Sequence, residues 1–281
     1  MNILAFNLKL ILLILFSLAG FVFSKDNTLS QDSILSQILL KKNLRICTEA
    51  GFMPWEFRDH KHNLHGFDYE MMKNFAKYLK VNLEMIDMKF DGLVPGVNSG
   101  KCHMIAAGMT KTKKREQAVL FSKTIYFDRI AIAELKKVKE KRVNKTKHLT
   151  IKDFDKVGVV IGTRIGSAGD IFLNSVKIKN AKILRYDFQE SELISALLLT
   201  KVNIIVYDDL FLKIANKKHN NKLVVYKQNE AAEIAVAASK KGEKLINEFN
   251  KFFEQWKENK GYEKCKKFYF DDLTWMNKFK S

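Results

Sequence analysis

The chain has 281 residues, 47% hydrophobic and 28% charged, with 49 Lys and Arg against 31 Asp and Glu for a formal net charge of +18. That length supports one large domain or two modest ones with their own cores, and the apolar fraction excludes wholesale disorder. The basic residues are spread along the chain, and the dense run over residues 136–147 has no interleaved aromatics, so a solvated basic surface is expected and nucleic acid is not an expected partner. A weak attraction to anionic membrane surfaces or wall polymers remains compatible with the charge.

In chain order, Lys9 precedes an apolar run over residues 10–23, and Ser24 and Lys25 open a polar stretch. A charged start, an apolar run of about 14 residues and a small residue at its end predict a signal peptide over residues 1–24 and export to the periplasm. The run is short of the roughly 20 residues that span a bilayer. No Cys stands near its end to carry a lipid, and no later segment is long and apolar enough to cross a membrane.

Residues 25–32 read as a polar linker, and Ile34, Leu35, Ile38 and Leu39 recur at helical spacing after Ser33. Residues 44–47 read as a strand. Met71, Met72, Phe75, Tyr78 and Leu79 form one apolar stripe of a helix behind Gly66 and Asp68. A strand over 81–85, a helix opening over 91–97 and a buried strand over 104–107 complete a first α/β unit. The pattern returns with strands over 157–161, 183–186 and 204–206, a helix over 190–199, and Asp208 closing the last strand. Extended segments over 130–135 and 234–237 are expected to join the halves, and a helix over 243–257 follows. Alternating strands and helices predict α/β units with mainly parallel sheets and a ligand cleft between two lobes. The two prolines punctuate it, Pro54 in a tight turn and Pro95 in a first helical turn.

The three cysteines, Cys47, Cys102 and Cys265, fit no metal spacing and are read as buried or free thiols. Pairing of Cys47 with Cys102 stays open if their strands are neighbours. His60, His62 and His65 share one polar loop without buried acids, and His103 stands apart, so no metal or cofactor is expected. More informative is Gly108-Met109-Thr110-Lys111-Thr112-Lys113-Lys114-Arg115, directly after a buried strand. Hydroxyls followed by an Arg one helical turn on suit capture of a carboxylate, through a bidentate fork with added donors at the helix start.

These segments stand in an order that resembles the bacterial extracellular solute-binding proteins of the polar amino acid type, which serve ABC importers. The markers are Gly51-Phe52-Met53-Pro54-Trp55-Glu56-Phe57, Gly66-Phe67-Asp68, Phe90-Asp91-Gly92-Leu93-Val94-Pro95, Ser99-Gly100-Lys101, the segment over 108–115, Gly162-Thr163 and Asp208. The resemblance covers roughly residues 34–270. It implies a two-lobed periplasmic-binding-protein fold of type II, with residues 42–128 plus 232–281 in lobe one, 129–231 in lobe two, and 25–41 as linker and first helix.

The same resemblance assigns roles. Phe52 and Phe90 stack around the ligand, while Trp55 packs the loop. Arg115 grips the α-carboxylate with Thr110, and Thr163 marks the second lobe's contribution. The Gly108 carbonyl and Asp208 receive the α-ammonium, so the two lobes supply opposite charges to a zwitterion. Glu49 stands where an acid reads the side chain, favouring an amide or cationic amino acid. The chain departs from the pattern where Arg164 and Ile165 replace a small donor residue, and Arg164 either joins the clamp or points to solvent. The implied partners are a free amino acid and an ABC transporter permease in the inner membrane, with the receptor a monomer and not an enzyme. The alternative is a periplasmic cyclohexadienyl dehydratase, which resembles these receptors but needs a proton-transferring acid in the cleft.

Overall fold

The computed structural model describes residues 33–139, 149–187 and 190–279. The signal segment expected over 1–24, the linker over 25–32 and most of the lysine run lie outside the described residues. The chain enters through α1 (Ile34–Lys41), capped where Ser33 Oγ accepts from Ser36 N at 3.1 Å. Leu35 and Ile38, three residues apart, are the pair it buries. It leads into β1 (Asn43–Thr48), then a small hairpin of β2 (Phe57–Arg58) and β3 (Leu64–His65). The α2 helix (Phe67–Leu79) buries Phe67, Met71, Met72, Phe75 and Leu79, the stripe its sequence spacing demands. There follow β4 (Asn82–Asp87), a turn of 3-10 helix over Phe90–Gly92, α3 (Leu93–Asn98), β5 (Met104–Ile105), α4 (Lys113–Ala118) and β6 (Val119–Phe121).

The second lobe begins with the long β7 (Tyr126–Leu135) and continues with β8 (Val160–Arg164), α5 (Ala168–Val176) and β9 (Lys182–Tyr186). Its remaining elements are α6 (Glu190–Leu198), β10 (Ile204–Asp208), α7 (Asp209–Lys218) and β11 (Leu223–Ile234). The chain then returns to the first lobe with β12 (Ala237–Ser239), α8 (Glu243–Glu258) and α9 (Gly261–Lys266).

Among the described residues the strands form two five-stranded sheets, in the orders β4-β1-β5-β12-β6 and β11-β7-β10-β8-β9. The expectation of mainly parallel sheets holds for strand direction, with four strands of each sheet running one way and one running against them. In the first, β1 runs parallel to β4 and β5 while β12 is antiparallel to β5 and β6; in the second, β8 is parallel to β9 and β10 while β7 is antiparallel to β10 and β11. The antiparallel strands are those next to the crossovers, where the chain returns without a helical connection.

The first of the two joining segments lies elsewhere than expected. Residues 130–135 lie inside β7, buried in the second sheet and paired with β10 and β11. The chain passes between lobes just before β7 and just after β11, where Ser122 N donates to Val236 O at 3.0 Å and Ile125 N to Ile234 O at 2.8 Å. The two crossovers are thus hydrogen-bonded to each other.

Each sheet is covered on both faces, and strand alternation sorts the side chains. In β10, Ile205 and Tyr207 join one core cluster, while Ile204 and Val206 face another. Beneath the first sheet, α8 turns Leu245, Ile246, Phe249, Phe252, Phe253 and Trp256 inward. Full burial of such side chains stabilises by about 1.5–3 kcal/mol each. Trp55 is 1% exposed and packs against Phe67, Tyr126 and Phe270, with ring centroids 5.8, 5.6 and 4.7 Å away.

The thiol reading of the cysteines is overturned for two of them. Because β1 pairs with β5, Cys47 comes beside Cys102, and they form a disulfide with Cα atoms 5.6 Å apart. Cys265 remains a free, half-buried thiol. The histidines have structural partners: His65 Nε2 lies 3.0 Å from Asp59 Oδ2, and His103 Nδ1 accepts from Arg45 N at 3.0 Å.

Candidate functional site

The ends of the strands deliver the polar side chains, as open α/β sheets do at their carboxyl edges. After β1 the chain gives Glu49 and Phe52, after β4 Phe90, and after β5 Gly108 and Thr110; β8 ends at Arg164, and β10 at Asp208. These loops face one another across a cleft. Phe52, Phe90, Gly108, Thr110, Arg115, Arg164, Ser167, Ala168, Tyr207 and Asp208 line one cavity there, with about 20 Å³ of room for a water-sized body. That is space for one water and far less than an amino acid fills, so the lobes stand closed on each other.

Gly108 sits at φ +52°, and a Cβ there would come within 2.7 Å of Phe52 and 2.8 Å of Trp55. Only glycine lets the strand end turn this tightly under two aromatic rings. The turn is fixed from below, where Gly108 N donates to Asp68 Oδ2 at 2.8 Å. Asp68 is 1% exposed, and loss of water raises its carboxyl to about 7, against the lowering effect of that same hydrogen bond.

Arg115 stands at the third position of α4, whose N-cap Thr112 accepts from Arg115 N at 3.2 Å. Its Nη1 donates to Thr110 O at 2.7 Å, and its Nη2 reaches the other lobe, donating to Gly166 O at 2.9 Å. Removal from water lowers its pKa to about 10 while the Asp208 and Tyr207 side chains raise it, so the guanidinium stays charged at neutral pH. The Phe90 ring lies beneath it, 5.0 Å from Arg115 Cζ and 5.5 Å from Arg164 Cζ.

Asp208, 7% exposed, ends β10 at the N-cap of α7. Beside it stands Asp128, whose Oδ1 accepts from Arg129 N at 2.7 Å and Leu210 N at 3.3 Å. Burial first, and the Asp208 charge second, raise the Asp128 carboxyl well above its ordinary value.

Of the residues singled out in the sequence, Phe52, Phe90, Gly108, Thr110, Arg115 and Asp208 line the cavity together. Two stand differently. Thr163 is fully buried and its hydroxyl donates to Val206 O at 3.0 Å, bracing β8 against β10 rather than facing the cavity. Strand alternation turns it into the sheet interior and gives the next residue, Arg164, to the cleft. Glu49 does not line the cavity either; its Oε1 accepts from Arg164 Nη2 at 2.5 Å and from Phe90 N at 3.1 Å. Arg164 therefore does not point to solvent; it lines the cavity with its guanidinium paired to Glu49.

Sequence reasoning passed over four residues at the site. Ser167 caps α5 by accepting from Asp170 N at 3.2 Å, and with Ala168 it presents that helix start to the cavity. A Ser before a helical stripe was the available signal. Tyr207 packs edge-on to Phe52 at 6.0 Å and covers the cavity floor. Asp128 gave no local signal, because its meeting with Asp208 depends on the register of β7 against β10.

Comparison with known proteins agrees with this geometry. The family described as bacterial extracellular solute-binding proteins, family 3, matches residues 44–272. The chain is similar to the "Probable histidine-binding protein" of Campylobacter jejuni, at 26% identity over 86% of this chain and 91% of that one. It is 28% identical to the arginine-binding extracellular protein ArtP of Bacillus subtilis, over 82% and 87% of the two chains. Among solved structures, an ancestral arginine-binding protein bound to arginine superposes with a TM-score of 0.73 at 28% identity, covering 82% of this chain and 98% of the other.

Proposed function

Because the chain belongs to the bacterial extracellular solute-binding proteins, family 3, we propose that it is a receptor that captures a free polar amino acid outside the cytoplasm and presents it to the permease of an ABC importer. One observation carries the reading. Arg115 from the first lobe and Asp208 from the second line the same cavity, so a guanidinium and a carboxylate face it from opposite sides, the two charges a zwitterion calls for. In this reading Arg115 holds the α-carboxylate with Thr110, and the start of α5 adds its dipole. Asp208 and the Gly108 carbonyl receive the α-ammonium. Phe52 and Phe90 enclose the aliphatic part. Relatives that bear the names of histidine- and arginine-binding proteins support an amino acid as cargo.

The lobes must part to admit such a ligand, and they close over it by rotation of one lobe against the other. The reading includes export by the segment over residues 1–24, residence in the periplasm and a monomeric receptor. It assigns no turnover: prephenate or arogenate incubated with the protein stays unchanged.

A thermal-shift panel of the common amino acids tests the proposal. The cognate ligand at 100 times its Kd stabilises the folded state by about 2.7 kcal/mol. A panel in which no amino acid raises the Tm overturns it.

A further inference from the structure

Arg164 stands between the cavity and Glu49. Its guanidinium lines the cavity and lies 5.5 Å from the Phe90 ring, while its Nη2 holds Glu49 Oε1 at 2.5 Å. Both partners are largely withdrawn from water, at 9% and 18% side-chain exposure. The charge of that carboxylate is already balanced by Arg164, so it offers a cationic ligand no net counter-charge. With Arg115 assigned to the α-carboxylate, Arg164 is the cation left to meet a ligand side chain, and it is already balanced by the acid behind it.

The four charged groups of the site then sum to zero, Arg115 and Arg164 against Asp208 and Glu49. The α-carboxylate and α-ammonium of an amino acid use Arg115 and Asp208 and keep the sum at zero. A cationic side chain adds a charge facing a guanidinium. An anionic one competes with Glu49 for Arg164 and leaves an acid uncompensated in a poorly hydrated site. A neutral side chain carrying a hydrogen-bond acceptor does neither, and it can take an N–H of Arg164 without separating the pair.

We infer that Arg164 is the specificity-determining residue of this site, and that through its pair with Glu49 it selects a neutral amino acid with a carboxamide side chain over cationic and anionic ones. The inference rests on the receptor reading above and narrows its cargo.

Calorimetric titration with glutamine, asparagine, arginine, lysine and glutamate tests it on the wild type and two single variants. Wild type is expected to bind glutamine or asparagine at least about tenfold tighter than arginine, lysine or glutamate, a modest share of what an uncompensated buried charge costs. Arg164→Ser uncovers Glu49 and moves the preference towards arginine and lysine by about tenfold or more. Glu49→Gln leaves Arg164 without its counter-charge and moves the preference towards glutamate. The two opposite shifts distinguish a charge effect from general damage, since a misfolded variant loses all ligands alike. Wild-type preference for arginine or lysine, or variants that leave the ratios unchanged, overturns the inference while the receptor reading stands. Binding of none of the panel overturns the inference, and the wider thermal-shift panel then decides the receptor reading.

Discussion

Arg115 of the first lobe donates through Nη2 to the Gly166 carbonyl of the second at 2.9 Å, while Nη1 holds the Thr110 carbonyl of its own lobe at 2.7 Å. One guanidinium therefore touches both halves of the cleft and can offer its fork to a ligand carboxylate between them. Replacing it by Ala leaves that carboxylate without its cation. Arg115→Ala is expected to weaken amino acid binding by about 2–5 kcal/mol, enough to erase the ligand-induced rise in Tm. Arg115→Lys keeps the charge but not the planar fork, and recovers part of the affinity at most. Calorimetry on both variants checks this.

A methyl group at Gly108 tests how tightly the site's turn is built. The Cβ would overlap the Phe52 and Trp55 rings and sit on a backbone with φ +52°. Gly108→Ala is expected to destabilise the fold by about 2–4 kcal/mol, from the strained backbone and the overpacking together. Phe52 would also be displaced from the cavity. Chemical denaturation gives the first effect and ligand affinity the second.

Asp68 makes stability depend on pH in an unusual direction for a carboxylate. Its folded pKa lies near 7, above the ordinary 3.8, so the folded state favours the protonated form. Its contribution is complete below the unfolded value and is lost as pH rises through about 7. Asp128 is shifted the same way by burial and by Asp208, and adds to the trend. Thermal unfolding from about pH 5 to about pH 9 should show a Tm that falls across neutrality, with Asp68→Asn flattening part of the fall. An unchanged slope in the variant would assign the dependence elsewhere.

The disulfide closes a loop of sequence separation 55 between neighbouring strands. Loop-closure entropy of that length corresponds to about 4 kcal/mol. Cys47→Ser with Cys102→Ser, or reduction of the wild type, should lower stability on that order and leave the cleft's polar groups in place. Denaturant midpoints with and without reductant measure it.

Local pattern carried much of this protein. The stripe over Met71, Met72, Phe75 and Leu79 and the alternation in β10 have one natural partner surface each, so helix and strand could be read directly. The order of Phe52, Phe90, Arg115 and Asp208 along the chain placed them at successive strand ends, where the fold brings them to one cavity. What local pattern does not encode is which strands become neighbours. The Cys47–Cys102 bond, the one antiparallel strand of each sheet and the approach of Asp128 to Asp208 all follow from pairing between distant segments. Orientation was the other gap. At the end of β8, alternation turns Thr163 into the sheet and Arg164 towards Glu49, and a one-residue difference decides which of the two a ligand encounters.

Because the strands that run between the lobes are laced to each other, from Ser122 to Val236 and from Ile125 to Ile234, neither can twist without carrying its neighbour. They act as one axle. In the receptor reading, opening is then expected as a swing about a single line, which returns the same two faces to register with each ligand taken up and released.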